Sequence, residues 1–170
     1  MTNQRKEPSQ NEKRMQYQIK DFYGRELTVQ TRLELYSVQD FMGEEMPGLA
    51  IVLEDVTNAT KPDEYCMLTV SFGEFIGMKN CAYIDSNNCD FTEQLLEQGM
   101  AKPTGFTKHS GFCEYPLWEF DEQTLKYMGA ENYEKYNTAY VQYMSEFASE
   151  DPDIDAVVSS LVAEAEDVVS

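Results

Sequence analysis

The stretch DSNNCDFTEQLLEQGMAKPTGFTKHSGFCEYPLWEF, residues 85–120, decides the fold, because turn, helix and strand signals follow one another within it. Its first four residues have short polar side chains that hydrogen-bond their own backbone, which predicts a turn. Asp90 with Glu93 three residues later predicts the capping box of a short helix, and Gly99 predicts where that helix ends. A loop and then an aromatic run over residues 112–120 predict a strand that enters the core.

The aromatic run contains the only Trp of the chain, Trp118, which we expect to lie in the core. Pro116 lies within the same run, and a proline has no N–H to donate to a neighbouring strand. We therefore predict that this segment is an edge strand or contains a bend.

Upstream of this stretch, apolar and polar side chains alternate over residues 27–35, which is the pattern of a strand with one buried face. Further strands are predicted from Tyr17 and over residues 49–56, 65–72 and 79–84. Short connections between strands favour antiparallel pairing. The segments together predict an α+β fold: an antiparallel sheet of about five strands with one packed helix and a C-terminal helical appendage.

The chain changes character after Asp121, which predicts the N-cap of a short helix that Gly129 ends. Tyrosines at three- and four-residue steps predict a longer helix from about Ala130 to Ala148, and this pattern fits core packing better than a partner-binding face. Pro152 opens a last helix with an aliphatic stripe suited to docking on the body or to self-association. We therefore divide the chain into a disordered tail (1–14), an α+β domain (15–128) and C-terminal acidic helices (129–170).

The chain is strongly acidic, with 31 Asp and Glu residues against 13 Lys and Arg residues and a net charge of −18. Such a chain repels phosphate backbones and anionic membranes, which argues against direct nucleic-acid binding by its body. It attracts basic surfaces, although acidity also serves solubility alone. No long apolar run or signal-peptide pattern is present, and four cysteines are few for a disulfide scaffold, so we expect a cytoplasmic protein with reduced thiols.

Groups suited to metal binding or catalysis are few. Cys81, Cys89, His109 and Cys113 could supply a Cys₃His metal site, but they include no close cysteine pair, and the cysteines are better interpreted as small buried hydrophobic residues. His109 and Cys113 are also a candidate pair for nucleophilic catalysis, but no known family signature surrounds them. No glycine-rich phosphate loop is present. We therefore expect no metal, no cofactor and no enzymatic activity.

Carboxylates are dense in the last two predicted helices, where Lys135 is the only basic side chain. Because the apolar stripes of these helices would face the core, the carboxylates would face solvent. They would form an ordered array of negative charge that imitates the phosphates of DNA and could bind a basic groove. The alternative is an ordinary solvated helix face. The predicted partner-binding residues are Glu131, Glu134, Glu146, Glu150, Asp151, Asp153, Asp155, Glu164, Glu166 and Asp167.

The central stretch also carries a motif that consists of Asp85, Asn87, Asn88 and Cys89, then Pro103, Thr104 and Gly105, then residues 110–113 and 115–120. This order resembles a family of small uncharacterised proteins carried on plasmids and conjugative elements of gut bacteria, and the likeness covers about residues 15–128. The family has no established activity. Its mobile-element setting implies a role against host defence, by analogy with acidic antirestriction and anti-CRISPR inhibitors.

Charge and resemblance lead to two hypotheses for function. The first is a non-enzymatic DNA mimic that binds the basic nucleic-acid-binding surface of a host defence nuclease, with the RNA-guided nuclease Cas9 as candidate target. The second is a structural or regulatory module that forms a homodimer through its C-terminal helices. A pull-down distinguishes them, because the inhibitor captures a basic nuclease and the module captures itself.

Overall fold

The computed structural model describes residues 16–58 and 61–150, with side chains up to residue 146. The predicted tail (1–14) and the predicted last helix lie outside the described residues. The strands are β1 (Gln16–Lys20), β2 (Glu26–Gln39), β3 (Glu45–Asp55), β4 (Asp63–Met67), β5 (Thr69–Val70), β6 (Cys81–Ile84), β7 (Lys102–Ser110) and β8 (Cys113–Glu119). The helices are α1 (Thr92–Glu97), α2 (Glu122–Met128) and α3 (Ala130–Glu150).

The first sheet has the order β1-β2-β3-β4, and each strand runs antiparallel to its neighbours. β2 and β3 form its long centre, since β2 pairs with β3 from Val29 to Gln39. Leu27, Val29 and Leu33 of β2 are buried, while the side chains between them are exposed or half-buried apart from one threonine. The strand predicted over residues 27–35 is therefore confirmed.

The second sheet has the order β5-β6-β8-β7 and is also antiparallel. The chain passes into it at Leu68, whose N–H donates to the carbonyl oxygen of Ile51 in β3 at 2.9 Å. The α+β class is confirmed, but the described residues form eight strands in two sheets rather than about five in one. One reason is that the strand predicted over residues 65–72 is divided between β4 and β5 at this crossing.

The segment predicted as a loop after α1 is the strand β7, so that prediction was wrong. Most side chains of β7 are exposed, and no apolar periodicity marks it because pairing with β8, not burial, holds it in place. β7 also makes β8 an interior strand, contrary to the edge position predicted from Pro116. The pairing of β8 with β6 ends at Leu117, so Pro116 has no partner in β6. On the other side, the register of β8 against β7 shifts between Pro103 and Thr107. The position that lacks an N–H therefore lies beside an irregularity in the sheet.

α1 begins later than its sequence pattern indicates. Its N-cap is Phe91, which makes no side-chain capping bond, so the capping box predicted for Asp90 and Glu93 was wrong. The predicted end is confirmed, because Gly99 has a φ of +83° and donates its N–H to the carbonyl oxygen of Leu96 at 2.9 Å.

α1 closes the outer edge of β1 with two side-chain amides. Gln94 accepts the N–H of Lys20 at 2.8 Å and donates to its carbonyl oxygen at 3.0 Å. Gln98 does the same for Gln18 at 2.9 and 2.7 Å. Two residues of a strand span about 6.6 Å, and four residues of a helix span about 6 Å. Side chains four residues apart on α1 therefore have the spacing of alternate residues of β1. α1 thus makes the hydrogen bonds that a further strand would make.

Both sheets and α3 share one core. Trp118 is 2% exposed, which confirms its predicted position. Tyr133, Tyr136 and Tyr140 of α3 are buried in the same cluster, so core packing is the correct interpretation of these tyrosines. Asp121 caps α2 as predicted, because its carboxylate accepts two backbone N–H groups of the first turn.

Candidate partner-binding surface

The predicted carboxylates of α3 lie in two separate places. Glu131 and Glu134 are exposed near the start of the helix, and Glu146 is exposed near its end. At 1.5 Å per residue, Glu134 and Glu146 are about 18 Å apart along the axis. Of the remaining predicted residues, Glu150 ends α3 with no described side chain, and Asp151, Asp153, Asp155, Glu164, Glu166 and Asp167 lie outside the described residues.

The carboxylates at the start of α3 have basic neighbours. Lys135 follows Glu134 directly in the chain. The hydrogen bond to Glu122 raises the pKa of Lys126, and the negative charge of Glu134 raises it further, which shows that this carboxylate lies near the ammonium group. This part of the helix is therefore a mixed-charge surface, in contrast to its far end.

The turn between β2 and β3 presents two large apolar side chains to solvent. Phe41 is 74% exposed and Met42 is 73% exposed. Asp40 holds the turn, because its Oδ1 accepts the N–H of Met42 at 2.9 Å and that of Glu44 at 2.8 Å. Glu44 and Glu45 are exposed beside them. We call these five residues, 40–42 and 44–45, the acidic tip.

The acidic tip and the end of α3 lie on the same end of the molecule. Phe75 donates its N–H to the carbonyl oxygen of Gln39 at 2.9 Å, directly before the tip. The ring of Phe75 also packs against Tyr143 of α3, with the centroids 4.9 Å apart. Burial raises the pKa of Tyr143, and the charge of Asp40 raises it further. Glu146 lies one helical turn beyond Tyr143, so its carboxylate extends the acidic surface.

The carboxylates of the acidic tip are not neutralised by bases. Across residues 16–58 and 61–146, no Lys, Arg or His side chain forms an ion pair with Asp40, Glu44 or Glu45. The ion pairs that do form engage Arg25, Arg32, Lys108, Lys126 and His109 elsewhere. The tip therefore combines apolar side chains with uncompensated negative charge.

The structure does not assemble the catalytic pair that the sequence left open. His109 pairs with Glu114 and Ser110 pairs with Cys113 across the β7–β8 hairpin. Cross-strand partners share a face and adjacent residues alternate, so His109 and Cys113 project from opposite faces. Within the described part of the chain, no group of three or more His, Cys, Asp or Glu side chains is placed to hold a metal ion.

The cleft between the sheets is small. It is lined by Tyr36, Leu49, Phe72 and Tyr136, among others, and its cavity volume is ≈ 30 Å³. Pockets that bind small organic ligands have volumes of about 300–1,000 Å³. This cleft is therefore too small for an organic substrate, and the surface is the better candidate for function.

Sequence reasoning missed the acidic tip, because exposure in a turn depends on the tertiary arrangement around it. The available signal was Phe41-Met42 followed by Gly43, Glu44 and Glu45, since contiguous exposed apolar side chains rimmed by polar ones mark interaction sites. In the residues that the structure describes, no helix has the length and apolar character needed to cross a membrane.

Fold and surface together define an α+β protein of two antiparallel sheets that presents an acidic, apolar-centred surface at one end. Residues 36–140 match the family described as a domain of unknown function, DUF4313, and the chain belongs to this family. The match begins in β2, contains the acidic tip and the β7–β8 hairpin, and ends within α3. The resemblance covered about residues 15–128, so the match starts later and ends later than expected. No curated protein and no solved structure matches the chain.

Proposed function

We propose that this protein is a non-enzymatic inhibitor that binds the basic nucleic-acid-binding surface of another protein. The observation that carries the proposal is the acidic tip, where Phe41 and Met42 lie exposed among Asp40, Glu44 and Glu45. Protein interfaces gain most of their affinity from a few large side chains at the centre, while surrounding charges direct the approach of the partner. The acidic tip has large apolar side chains at its centre and carboxylates around them, which is the arrangement that suits a basic partner.

The charge of the whole chain supports a protein partner over a nucleic acid. A net charge of −18 repels phosphate and accelerates association with a cationic groove. The carboxylates of the acidic tip and Glu146 stand on ordered elements, a tight turn and a long helix, so little ordering entropy is lost when they are bound. In this mechanism Glu146 extends the contact from the tip, and the carboxylates predicted over residues 150–167 also bind the partner.

The target we propose is a cytoplasmic defence nuclease, with Cas9 as the first candidate. The resemblance to proteins of plasmids and conjugative elements supports this choice, because such elements benefit from blocking nucleases that cut them. Guided nucleases hold their nucleic acid in a positively charged channel, which is the kind of surface an acidic protein can occupy. The protein would then act as an anti-CRISPR DNA mimic of a mobile genetic element.

The test is DNA cleavage by purified, guide-loaded Cas9 with increasing amounts of the protein, at low and moderate salt. We compare the wild type with a tip variant (Asp40→Asn, Glu44→Gln, Glu45→Gln) and a C-terminal variant (Glu146→Gln, Glu150→Gln, Asp151→Asn, Asp153→Asn, Asp155→Asn). A control variant (Glu26→Gln, Glu93→Gln, Glu97→Gln) removes three exposed carboxylates elsewhere. Asn at position 40 keeps the oxygen that holds the turn.

We expect the wild type and the control variant to inhibit cleavage, and the tip and C-terminal variants to associate more slowly. Inhibition should weaken as salt rises, because screening shortens the range of exposed charges to about 8 Å at physiological ionic strength. Full cleavage at all protein concentrations would remove Cas9 as the target. Equal inhibition by all variants with a flat salt response would remove this surface from the mechanism.

The alternative proposal is self-association through the C-terminal helices. Sedimentation of the same samples distinguishes it, because a module that pairs with itself sediments as a dimer. Its C-terminal variant should dimerise as well as the wild type or better, since removing like charges lowers repulsion.

A further inference from the structure

Two cysteines far apart in sequence lie in contact. The Sγ atoms of Cys66 and Cys89 are 3.7 Å apart. Cys66 belongs to β4 and is half-buried, whereas Cys89 lies in the turn before α1 and is 1% exposed. Cys66 is therefore the more exposed residue of the pair, and Cys89 is the buried one.

The surrounding structure fixes this contact on both sides. The N–H of Asp85 donates to the carbonyl oxygen of Leu68 at 2.8 Å, and that of Cys89 donates to the carbonyl oxygen of Asp85 at 2.9 Å. On the other side, the rings of Tyr65 and Phe91 pack with centroids 5.9 Å apart. Both the backbone and neighbouring side chains thus bring β4 and the turn together.

We propose that Cys66 and Cys89 are a reversible redox pair, in which Cys66 reacts with a peroxide and Cys89 then closes a disulfide. Both thiols are free in this structure. Their separation requires only a small movement to reach the bond length of about 2.05 Å that a disulfide has.

The chemistry follows from the hydrogen bond between the two sulfur atoms. The hydrogen bond between the two sulfur atoms lowers the pKa of Cys66 and raises the pKa of Cys89. Cys66 is also the more exposed of the two residues, so we assign the first reaction to its thiolate, which is the nucleophilic form of a cysteine. Its sulfur attacks one oxygen of hydrogen peroxide, the O–O bond breaks, hydroxide leaves, and Cys66 becomes a sulfenic acid.

The second step uses Cys89. Its sulfur attacks the sulfur of Cys66, the S–O bond breaks, and the hydroxyl group leaves as water with the proton of the Cys89 thiol. Two thiols and one hydrogen peroxide give one disulfide and two waters, so the sulfurs are oxidised and the peroxide oxygens are reduced. A dithiol reductant reverses the change by exchange.

The disulfide would join β4 to the turn before α1, two segments that separate when the protein unfolds. It closes residues 66–89, which contain the crossing at Leu68, β5 and β6. A closed loop lowers the entropy of the unfolded chain, so the oxidised protein should melt at a higher temperature. The structure offers two cysteines for comparison: Cys81 is buried with a pKa raised to about 12 by that burial, and Cys113 lies in the β7–β8 hairpin.

The experiment treats the reduced full-length protein with hydrogen peroxide and maps its peptides without reduction. The wild type and Cys113→Ser should give peptides linked between positions 66 and 89, and their melting temperature should rise by several degrees. Cys89→Ser should stop at a sulfenic acid on Cys66 that a diketone probe labels, and Cys66→Ser should leave Cys89 unmodified. If Cys89→Ser fails to fold, the wild-type peptide map decides alone. The proposal is overturned if that map shows no such link, or if Cys113 is oxidised before it.

Discussion

The backbone N–H of Asn80 donates a hydrogen bond to the hydroxyl of Tyr136 at 2.8 Å. The hydroxyl of Tyr133, one turn earlier in α3, donates to the side-chain oxygen of Asn80 at 2.9 Å. Asn80 has a φ of +65°, a left-handed conformation that no other non-glycine residue of the described chain adopts and that Asn tolerates better than most. α3 therefore holds the residue that directs the chain into β6.

Tyr136→Phe should remove this support without changing the shape of the core. The N–H of Asn80 loses its partner, and such a loss costs about 1–3 kcal/mol of the free energy of unfolding. Urea denaturation measures the change. The same substitution at Tyr23, which is 81% exposed, is the control and should change stability by only a few tenths of a kcal/mol. Equal stability of the two variants would mean that the hydroxyl of Tyr136 contributes nothing at Asn80.

Gly129→Ala should destabilise the protein for lack of space. A Cβ at position 129 would lie 3.2 Å from the carbonyl oxygen and 3.3 Å from the Cβ of Leu33, so α3 or β2 has to move. Overpacking of this kind typically costs about 1–3 kcal/mol, which urea denaturation detects. Gly77→Ala is the matched control, because a Cβ there meets nothing within 4 Å. A Gly129→Ala protein as stable as the control would show that α3 adjusts freely.

The sequence predicts the parts of the fold in which a local pattern and burial agree. The alternation in β2, the cap at Asp121 and the burial of Trp118 each follow from one short segment, and the structure confirms them. β7 could not be predicted in this way, because its side chains face solvent and only its pairing with β8 defines it. Pro116 misled for a related reason, since the irregular register beside it depends on how β7 pairs with β8.

The candidate surface was predictable only in part. The buried tyrosines of α3 imply that Glu131, Glu134 and Glu146 face solvent, and they do. That Glu146 shares one end of the molecule with Asp40 depends on Phe75 linking β2 to α3, a tertiary relationship with no local signal.

The glutamines of α1 offer a third test. In Gln94→Glu with Gln98→Glu, each amide donor becomes a carboxylate oxygen that faces a backbone carbonyl oxygen of β1, and the two repel. We expect a loss of stability of about 1–3 kcal/mol at neutral pH, because two exposed pairs of hydrogen bonds are disrupted. The loss should shrink in acid, because a protonated carboxyl group regains a donor. Gln123→Glu, an exposed change of the same size, is the control for added charge, and a loss as large in that variant would refute the assignment.

Alkaline pH should unfold the protein through its buried tyrosines. Burial raises the pKa of Tyr17, Tyr133 and Tyr140 from 10.0 to about 12. The unfolded chain thus loses these protons at lower pH than the folded chain, so stability is full below pH 10 and falls as the pH rises toward 12. Denaturation midpoints and tyrosinate absorbance across this window should change together. A midpoint that stays constant while tyrosinate forms would contradict the prediction.

The apolar centre of the acidic tip gives a prediction that rests on the proposed function. Phe41→Ser with Met42→Ser should leave stability within about 0.5 kcal/mol, because exposed side chains contribute little to folding. Inhibition of the target should weaken at least tenfold, since central large side chains dominate interface energy. Phe112→Ser changes an exposed aromatic residue at another hairpin and should inhibit like the wild type. Inhibition that is equal in both variants would place the contact elsewhere.

β7 limits the growth of the second sheet at one of its two edges. As a terminal strand it presents backbone groups to which another chain could add, yet Pro103 lacks an N–H, Gly105 bends the strand at a φ of +92°, and Lys102 and Lys108 place charge along it. Proline, irregular backbone and lysine are the features that prevent strand addition at natural sheet edges. A protein that acts by occupying its target must accumulate to at least the concentration of that target. Under the proposed function the protein has to reach that concentration, and the β7 edge does not favour fibre growth by strand addition.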